Sequence, residues 1–144
     1  MPDTLPLGYE DARRALDVIA KELAARGLAA VITVADDHGE LIALMRMDGA
    51  PLSSIAIATN KAWTAARERR TSYEMGQAAR HPETGFDIAY FGDPRFVGWG
   101  GGVPITIAGA VVGAVAVSGA PETVDMELAA LGVRAILEGR DALR

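Results

Sequence analysis

The chain contains no cysteine, which excludes disulfides, thiolate metal sites and cysteine nucleophiles together. Aromatic residues are scarce, at 6% of 144 residues. The longest apolar runs are broken by glycine and fall short of the ~20 residues that a membrane-spanning helix needs. Met1-Pro2-Asp3-Thr4 has neither a basic nor an apolar character, so no signal peptide is expected and a soluble, cytoplasmic protein is the default. Positive charge is also in short supply. Fourteen Lys and Arg face nineteen Asp and Glu, for a net charge of −5, and neither nucleic acid nor a membrane surface is an expected partner.

Familiar catalytic signatures are missing too. There is no His-x-x-x-His spacing for a metal, so no metal site is expected, and no serine stands in a nucleophile-elbow context. A phosphate loop would need Gly-Lys-Ser/Thr, which does not occur. The glycine-rich Gly98–Gly102 fails as a dinucleotide fingerprint, because the sixth place from Gly98 is Val103 and a strand follows instead of a helix. These glycines are therefore expected to let backbone approach backbone, or a ligand, closely.

What is present predicts an α+β fold. Half of the residues are hydrophobic, which excludes disorder, and the length suits one domain over residues 1–144. Ala12, Ala15, Leu16, Ile19, Ala20 and Leu23 form the stripe of an amphipathic helix over residues 9–26, with Gly27 placed to end it. Residues 29–35 and 40–47 read as two apolar strands around the turn Asp36-Asp37-His38-Gly39. Neither strand has a polar face, so both faces of the sheet should be covered. Ser53 and Ser54 are candidate caps for a helix over residues 54–70, which carries Ala58, Ala62, Ala65 and Ala66 on one small-residue face. A shorter helix is expected over residues 72–80. Residues 81–102 form a long irregular segment holding Tyr90, Phe91, Phe96 and Trp99. Loops of that length are usually functional, although a loop pinned by its own side chains would look the same. Residues 103–118 read as a hairpin turning at Ala108-Gly109. A last helix opens at Pro121-Glu122-Thr123, turns Met126, Ala129, Ala130, Val133, Ile136 and Leu137 inward, and is expected to end at Gly139.

Several segments taken together carry a resemblance. They are Val34-Ala35-Asp36-Asp37-His38-Gly39, Arg46-Met47-Asp48-Gly49-Ala50 and Lys61-Ala62-Trp63-Thr64-Ala65-Ala66, followed by Gly101-Gly102-Val103-Pro104-Ile105, the run from Gly113 to Ala120, and Asp125. In this order and spacing the chain resembles the GlcG/HbpS family, which includes the C-terminal domain of PduO-type proteins. The resemblance implies a profilin- or longin-like fold of an antiparallel sheet packed with helices, in the order α-β-β-α-α-β-β-α. It further implies a homo-oligomer, often an octamer, and a ligand that is haem or a related tetrapyrrole. Two departures stand out: Ala116 where the family usually has glycine, and Val124-Asp125-Met126 in place of Gln-Asp-Glu.

Candidate site residues follow from position and chemistry. Haem ligation would most simply use histidine. His81 adjoins the aromatic segment, whereas His38 sits at a hairpin tip; Thr71, Tyr73, Met75 and Tyr90 are weaker axial candidates. Tyr90, Phe96 and Trp99 could stack on a ligand, and the amides at Gly101, Gly102 and Val103 could cradle an acidic group, with Arg95 as counter-charge. Arg46 and Asp48 read either as an ion pair or as catalytic groups. Lys61, in an alanine-rich helix, needs a carboxylate such as Asp125 or Asp48, or acts as a base or anion clamp. Arg67, Arg69 and Arg70 suit a helix C-terminus without any ligand. The expected pocket lies between residues 86–102 and the Arg46–Gly49 segment. Two other readings use the same features: an enzyme acting on a small organic acid through Arg46, Asp48, Lys61 and Arg95, and an accessory subunit without a ligand.

Overall fold

The computed structural model describes residues 6–143; Met1–Thr4, read above for a leader, lies outside them. Helix α1 spans Tyr9–Ala25 and buries Ala12, Ala15, Leu16, Ile19 and Leu23. Gly27 follows at φ +71°, the left-handed turn expected of it. Strands β1 (Val31–Asp36) and β2 (Leu41–Arg46) form the first hairpin. Helices α2 (Ser54–Glu68) and α3 (Ser72–Ala79) come next. The chain then runs irregularly to residue 101, apart from one 3-10 turn at Ile88–Phe91. Strands β3 (Gly102–Ile107) and β4 (Ala110–Ser118) meet through Ala108 and Gly109, both at positive φ. That two-residue turn matches the twist of its flanking strands. Helix α4 (Glu122–Ala142) closes the order.

The sheet is antiparallel throughout, in the order β2-β1-β4-β3. Its two central strands are covered on both faces, as their unbroken apolar sequence requires. One face sets Ile32, Val34, Val115 and Val117 against Ile19, Leu23, Leu128 and Ile136 of α1 and α4. Each such aliphatic side chain taken out of water stabilises the fold by about 1.5–3 kcal/mol. The opposite face is built from alanine: Ala35, Ala114 and Ala116 meet Ala62, Ala65 and Ala66 of α2. With so little side chain between them, α2 lies close enough for the buried Thr33 hydroxyl to donate to Ala58 O at 2.8 Å. Ala116, the departure from glycine, therefore sits in an all-alanine layer. Pro104, which has no amide to donate, falls on the edge strand β3, where that loss is tolerated.

Three expectations need correction. Gly139 lies inside α4 and does not end it. A Cβ there would meet the Arg14 guanidinium at 2.2 Å, so this glycine makes room for a side chain rather than for a turn. Ser53 stands at the start of α2, but its backbone is already helical and its side chain makes no capping bond. The inward face of α4 is Asp125, Leu128, Ala129, Gly132 and Ile136, with Met126, Ala130, Val133 and Leu137 half-buried beside it. A charged residue heads that face, which hydrophobic periodicity cannot register. Among the described residues no helix is long and apolar enough to cross a membrane.

Candidate functional site

The glycine run before β3 is where α2, α4 and the sheet converge. Gly101 sits at φ +129°, and a Cβ on it would meet Val117 O at 2.5 Å and Lys61 Nζ at 2.8 Å. At Gly102 a Cβ would meet Lys61 O at 2.4 Å. Backbone therefore approaches backbone here, and only glycine permits it. The close approach carries Lys61, 2% exposed, to the head of α4. Its Nζ donates to Val117 O at 3.0 Å and to Asp125 Oδ2 at 3.4 Å. Asp125 Oδ1 also accepts from the Ala120 amide at 3.1 Å. Of the two partners expected for Lys61, the structure selects Asp125. Burial lowers the Lys61 ammonium from its ordinary range, opposed by the Asp125 charge. Burial likewise pushes the Asp125 carboxyl up to about 6, opposed by Lys61. Both groups are thus drawn toward their neutral forms.

This pair lies at one side of a hollow of about 270 Å³ whose rim includes Trp99, Gly100 and Glu122. Two of the glycine amides are already engaged. Gly100 N–H donates to Glu122 Oε2 at 2.7 Å, and Gly102 N–H donates to the Ser72 hydroxyl at 2.9 Å. An incoming acid would have to displace Glu122 from the first of them.

A second hollow, of about 390 Å³, opens between α3 and the aromatic segment. Its walls are largely apolar: Phe86, Ile88, Phe96, Val97 and Trp99, with Ala79 and Gly76 from α3. Arg80 and Asp87 are its charged lining residues. The segment is held by its own rings, as one of the two readings expected. Phe96 meets Trp63 edge-on at 4.8 Å and Phe91 at 4.7 Å, and Phe91 stacks on Phe86 at 5.4 Å. Thr64 ties it further, donating to Arg95 O and accepting from Val97 N–H, both at 3.0 Å. Gly76 and Gly98 let it close on α3: a Cβ at Gly76 would stand 1.8 Å from Gly98 O.

The sequence candidates fall into distinct groups. Phe96 lines the larger hollow and Trp99 lines both. Lys61 lines the smaller one, while Gly101 and Gly102 are buried behind it. Tyr90 is 86% exposed and lines neither. Arg95 pairs with Asp93 at 2.8 Å and covers the Trp63 ring at 4.3 Å, so its charge is committed within the loop. Arg46 ends the edge strand β2 and Asp48 is exposed in the loop beyond; neither borders these hollows. The wall expected from Arg46–Gly49 is supplied instead by α3 and, for the smaller hollow, by α4. His38 is exposed at its turn beside Asp37, 3.3 Å away. His81 is also exposed, and its Nδ1 accepts the amides of Glu83 and Thr84 at 3.1 Å each. That assigns its proton to Nε2 when the ring is neutral. Among the weaker candidates, Thr71 caps α3 through Glu74, Met75 is fully buried, and Tyr73 is half-buried. Arg80 and Phe86 were not anticipated. A glycine inside the predicted helix at residue 76 was the legible sign that something packs closely there.

Comparison with known proteins agrees with this architecture. Residues 7–134 match the profile of the haem degrading protein HbpS-like family. Protein GlcG of Escherichia coli (strain K12) is 39% identical over 87 residues, 60% of this chain and 62% of GlcG. The crystal structure of protein ORFY from Klebsiella pneumoniae superposes with a TM-score of 0.88 at 27% identity, covering 93% of this chain and 92% of that one. The PduOC structure, a haem complex, superposes at 0.85 with 23% identity, covering 91% and 95%, and supports the fold. With a family match that runs from before α1 well into α4, the chain belongs to the HbpS-like family.

Proposed function

We propose that this protein binds haem or a related tetrapyrrole, with the macrocycle seated between α3 and the aromatic segment. The observation that carries this reading is the larger hollow itself. It offers apolar walls from Phe86, Ile88, Phe96 and Trp99, and a cation, Arg80, for the acidic edge of such a ligand. The size, about 390 Å³, falls within the range of small-molecule sites. Family membership and the haem complex of a structural relative support it independently. The donor set fits the body and acid groups of haem better than its iron. His81, the nearer histidine in sequence, must give up two amide bonds before Nε2 offers a lone pair. Weak, exchangeable ligation follows from that geometry. Bound haem would supply redox-active iron, and the chain's part is to stack, orient and shield it.

Haemin titration tests the reading. A Soret shift beyond that given by an unrelated acidic protein is expected, with His81→Ala changing the spectrum more than His38→Ala. A titration indistinguishable from the control protein would refute haem binding; a larger effect from His38 would move the ligand to the turn between β1 and β2.

We also infer self-association beyond a dimer. Leu41, Leu52 and Tyr90 are 47%, 73% and 86% exposed, and β2 presents an apolar edge strand. Light scattering at micromolar concentration should return a mass above that of two 15.1 kDa chains, and a monomeric or dimeric mass would contradict the inference.

A further inference from the structure

Of the fourteen basic residues in this chain, twelve are arginine and two, Lys21 and Lys61, are lysine. Lys21 is exposed on α1, while Lys61 is the buried amine beside the smaller hollow. Arginine serves every other cationic position, including the ion pairs on α1, α4 and the aromatic segment. What lysine supplies and arginine cannot is an amine that becomes nucleophilic on losing a proton. The surroundings of Lys61 suit that use. Its nitrogen has Asp125 Oδ2 at 3.4 Å to take and return a proton, and Val117 O at 3.0 Å to fix its position. Lys61 borders the hollow, and at Gly101 any side chain would crowd its nitrogen at 2.8 Å.

We infer that Lys61 forms a reversible imine with small neutral aldehydes that enter the hollow beside Trp99. The chemical class follows from the site. A volume of about 270 Å³ admits a chain of a few carbons, and Glu122 on the rim disfavours an acidic carbonyl compound such as a 2-oxo acid. In the reaction, the Lys61 ammonium first passes a proton to the Asp125 carboxylate. The nitrogen lone pair attacks the carbonyl carbon, forming the C–N bond. The carbonyl oxygen takes the proton held by Asp125. The new ammonium nitrogen then returns a proton to Asp125, giving a neutral carbinolamine. Asp125 protonates the hydroxyl, which leaves as water while the nitrogen lone pair closes the C=N bond. In sum, an aldehyde and the Lys61 ammonium give a protonated imine and water. The Asp125 carboxylate ends as it began, so the buried ion pair is exchanged for another of equal charge. The burial that favours neutral forms of both groups eases the first proton transfer. This inference stands apart from haem binding, which concerns the other hollow.

The test is reductive trapping on the intact wild-type protein. Propionaldehyde and cyanoborohydride are added at pH 7, and peptide mass spectrometry compares propyl addition at Lys61 with that at Lys21. Lys61 is expected to react faster than Lys21, since burial lowers its pKa and so raises its share of neutral amine. Lys61→Arg, which keeps the charge, should lose the fast addition while Lys21 reacts as before. Glyoxylate in place of propionaldehyde should label Lys61 poorly. Addition at Lys21 alone, or equal rates at both lysines, would overturn the proposal. So would fast Lys61 labelling by glyoxylate, for the substrate class. Haemin titration of Lys61→Arg separates the two sites, because its Soret response is expected to match the wild type.

Discussion

Asp125→Asn is expected to destabilise the protein by about 3–5 kcal/mol, because it leaves the Lys61 ammonium buried without its counter-charge. The substituted amide keeps the volume and can still accept from Ala120 N–H, so the loss isolates the charge. Lys61→Met should cost less. A buried carboxyl without an opposite charge relieves itself by taking a proton, and loss of Lys61 raises the Asp125 carboxyl further above its present value of about 6. Exchanging both residues for Met and Asn should recover much of either loss, since a buried ion pair contributes little net stability over a well-packed neutral pair. Urea unfolding at pH 7 should place the double variant well above Asp125→Asn, with the wild type at least as stable as either. An Asp125→Asn protein as stable as the wild type would show that the pair is solvated rather than buried.

Gly76→Ala is expected to weaken haemin binding by at least about tenfold, or 1.4 kcal/mol. In most helices this substitution stabilises, because alanine is the better helix former by about 1 kcal/mol. Here the added methyl would fall 1.8 Å from Gly98 O and 2.6 Å from its carbonyl carbon, and both are backbone atoms that cannot rotate away. The aromatic segment must lift from α3, which opens the hollow and displaces Phe96, Val97 and Trp99 from its wall. Helix content should hold, because α3 itself is relieved of a glycine. Circular dichroism and haemin titration on the same sample separate these outcomes. Unchanged haemin affinity would place the ligand elsewhere.

The fold was legible in the sequence because its signals are local. The stripe from Ala12 to Leu23, the two-residue turn at Ala108-Gly109, and the alanine face from Ala58 to Ala66 each state their own structure. Where reading failed, the cause was a contact made across the chain. Gly139 resembles a helix end, yet its small size serves Arg14 on α1. Asp125 interrupts the apolar face of α4, and only the arrival of Lys61 from α2 explains a carboxylate there. The same holds for the site. Lys61, Asp125, Phe96 and Trp99 were legible as chemistry. Sequence position alone could not show that α3, bringing Gly76 and Arg80, forms a wall of the larger hollow, with Arg46 and Asp48 bordering neither. Arg95 looked free for a ligand because its partner, Asp93, lies only two residues away and the pairing depends on the loop's turn.

The central claim is the place of the macrocycle, and paramagnetic broadening reads it directly. Ferric haemin added to isotopically labelled protein broadens amide resonances near the iron. If the ligand lies between α3 and the aromatic segment, the amides of Gly76, Ala79, Val97 and Gly98 should broaden first, with those of Met47, Asp48 and Gly49 unaffected at the same haemin ratio. Selective broadening of residues 46–49, with α3 and residues 96–99 untouched, would contradict the account.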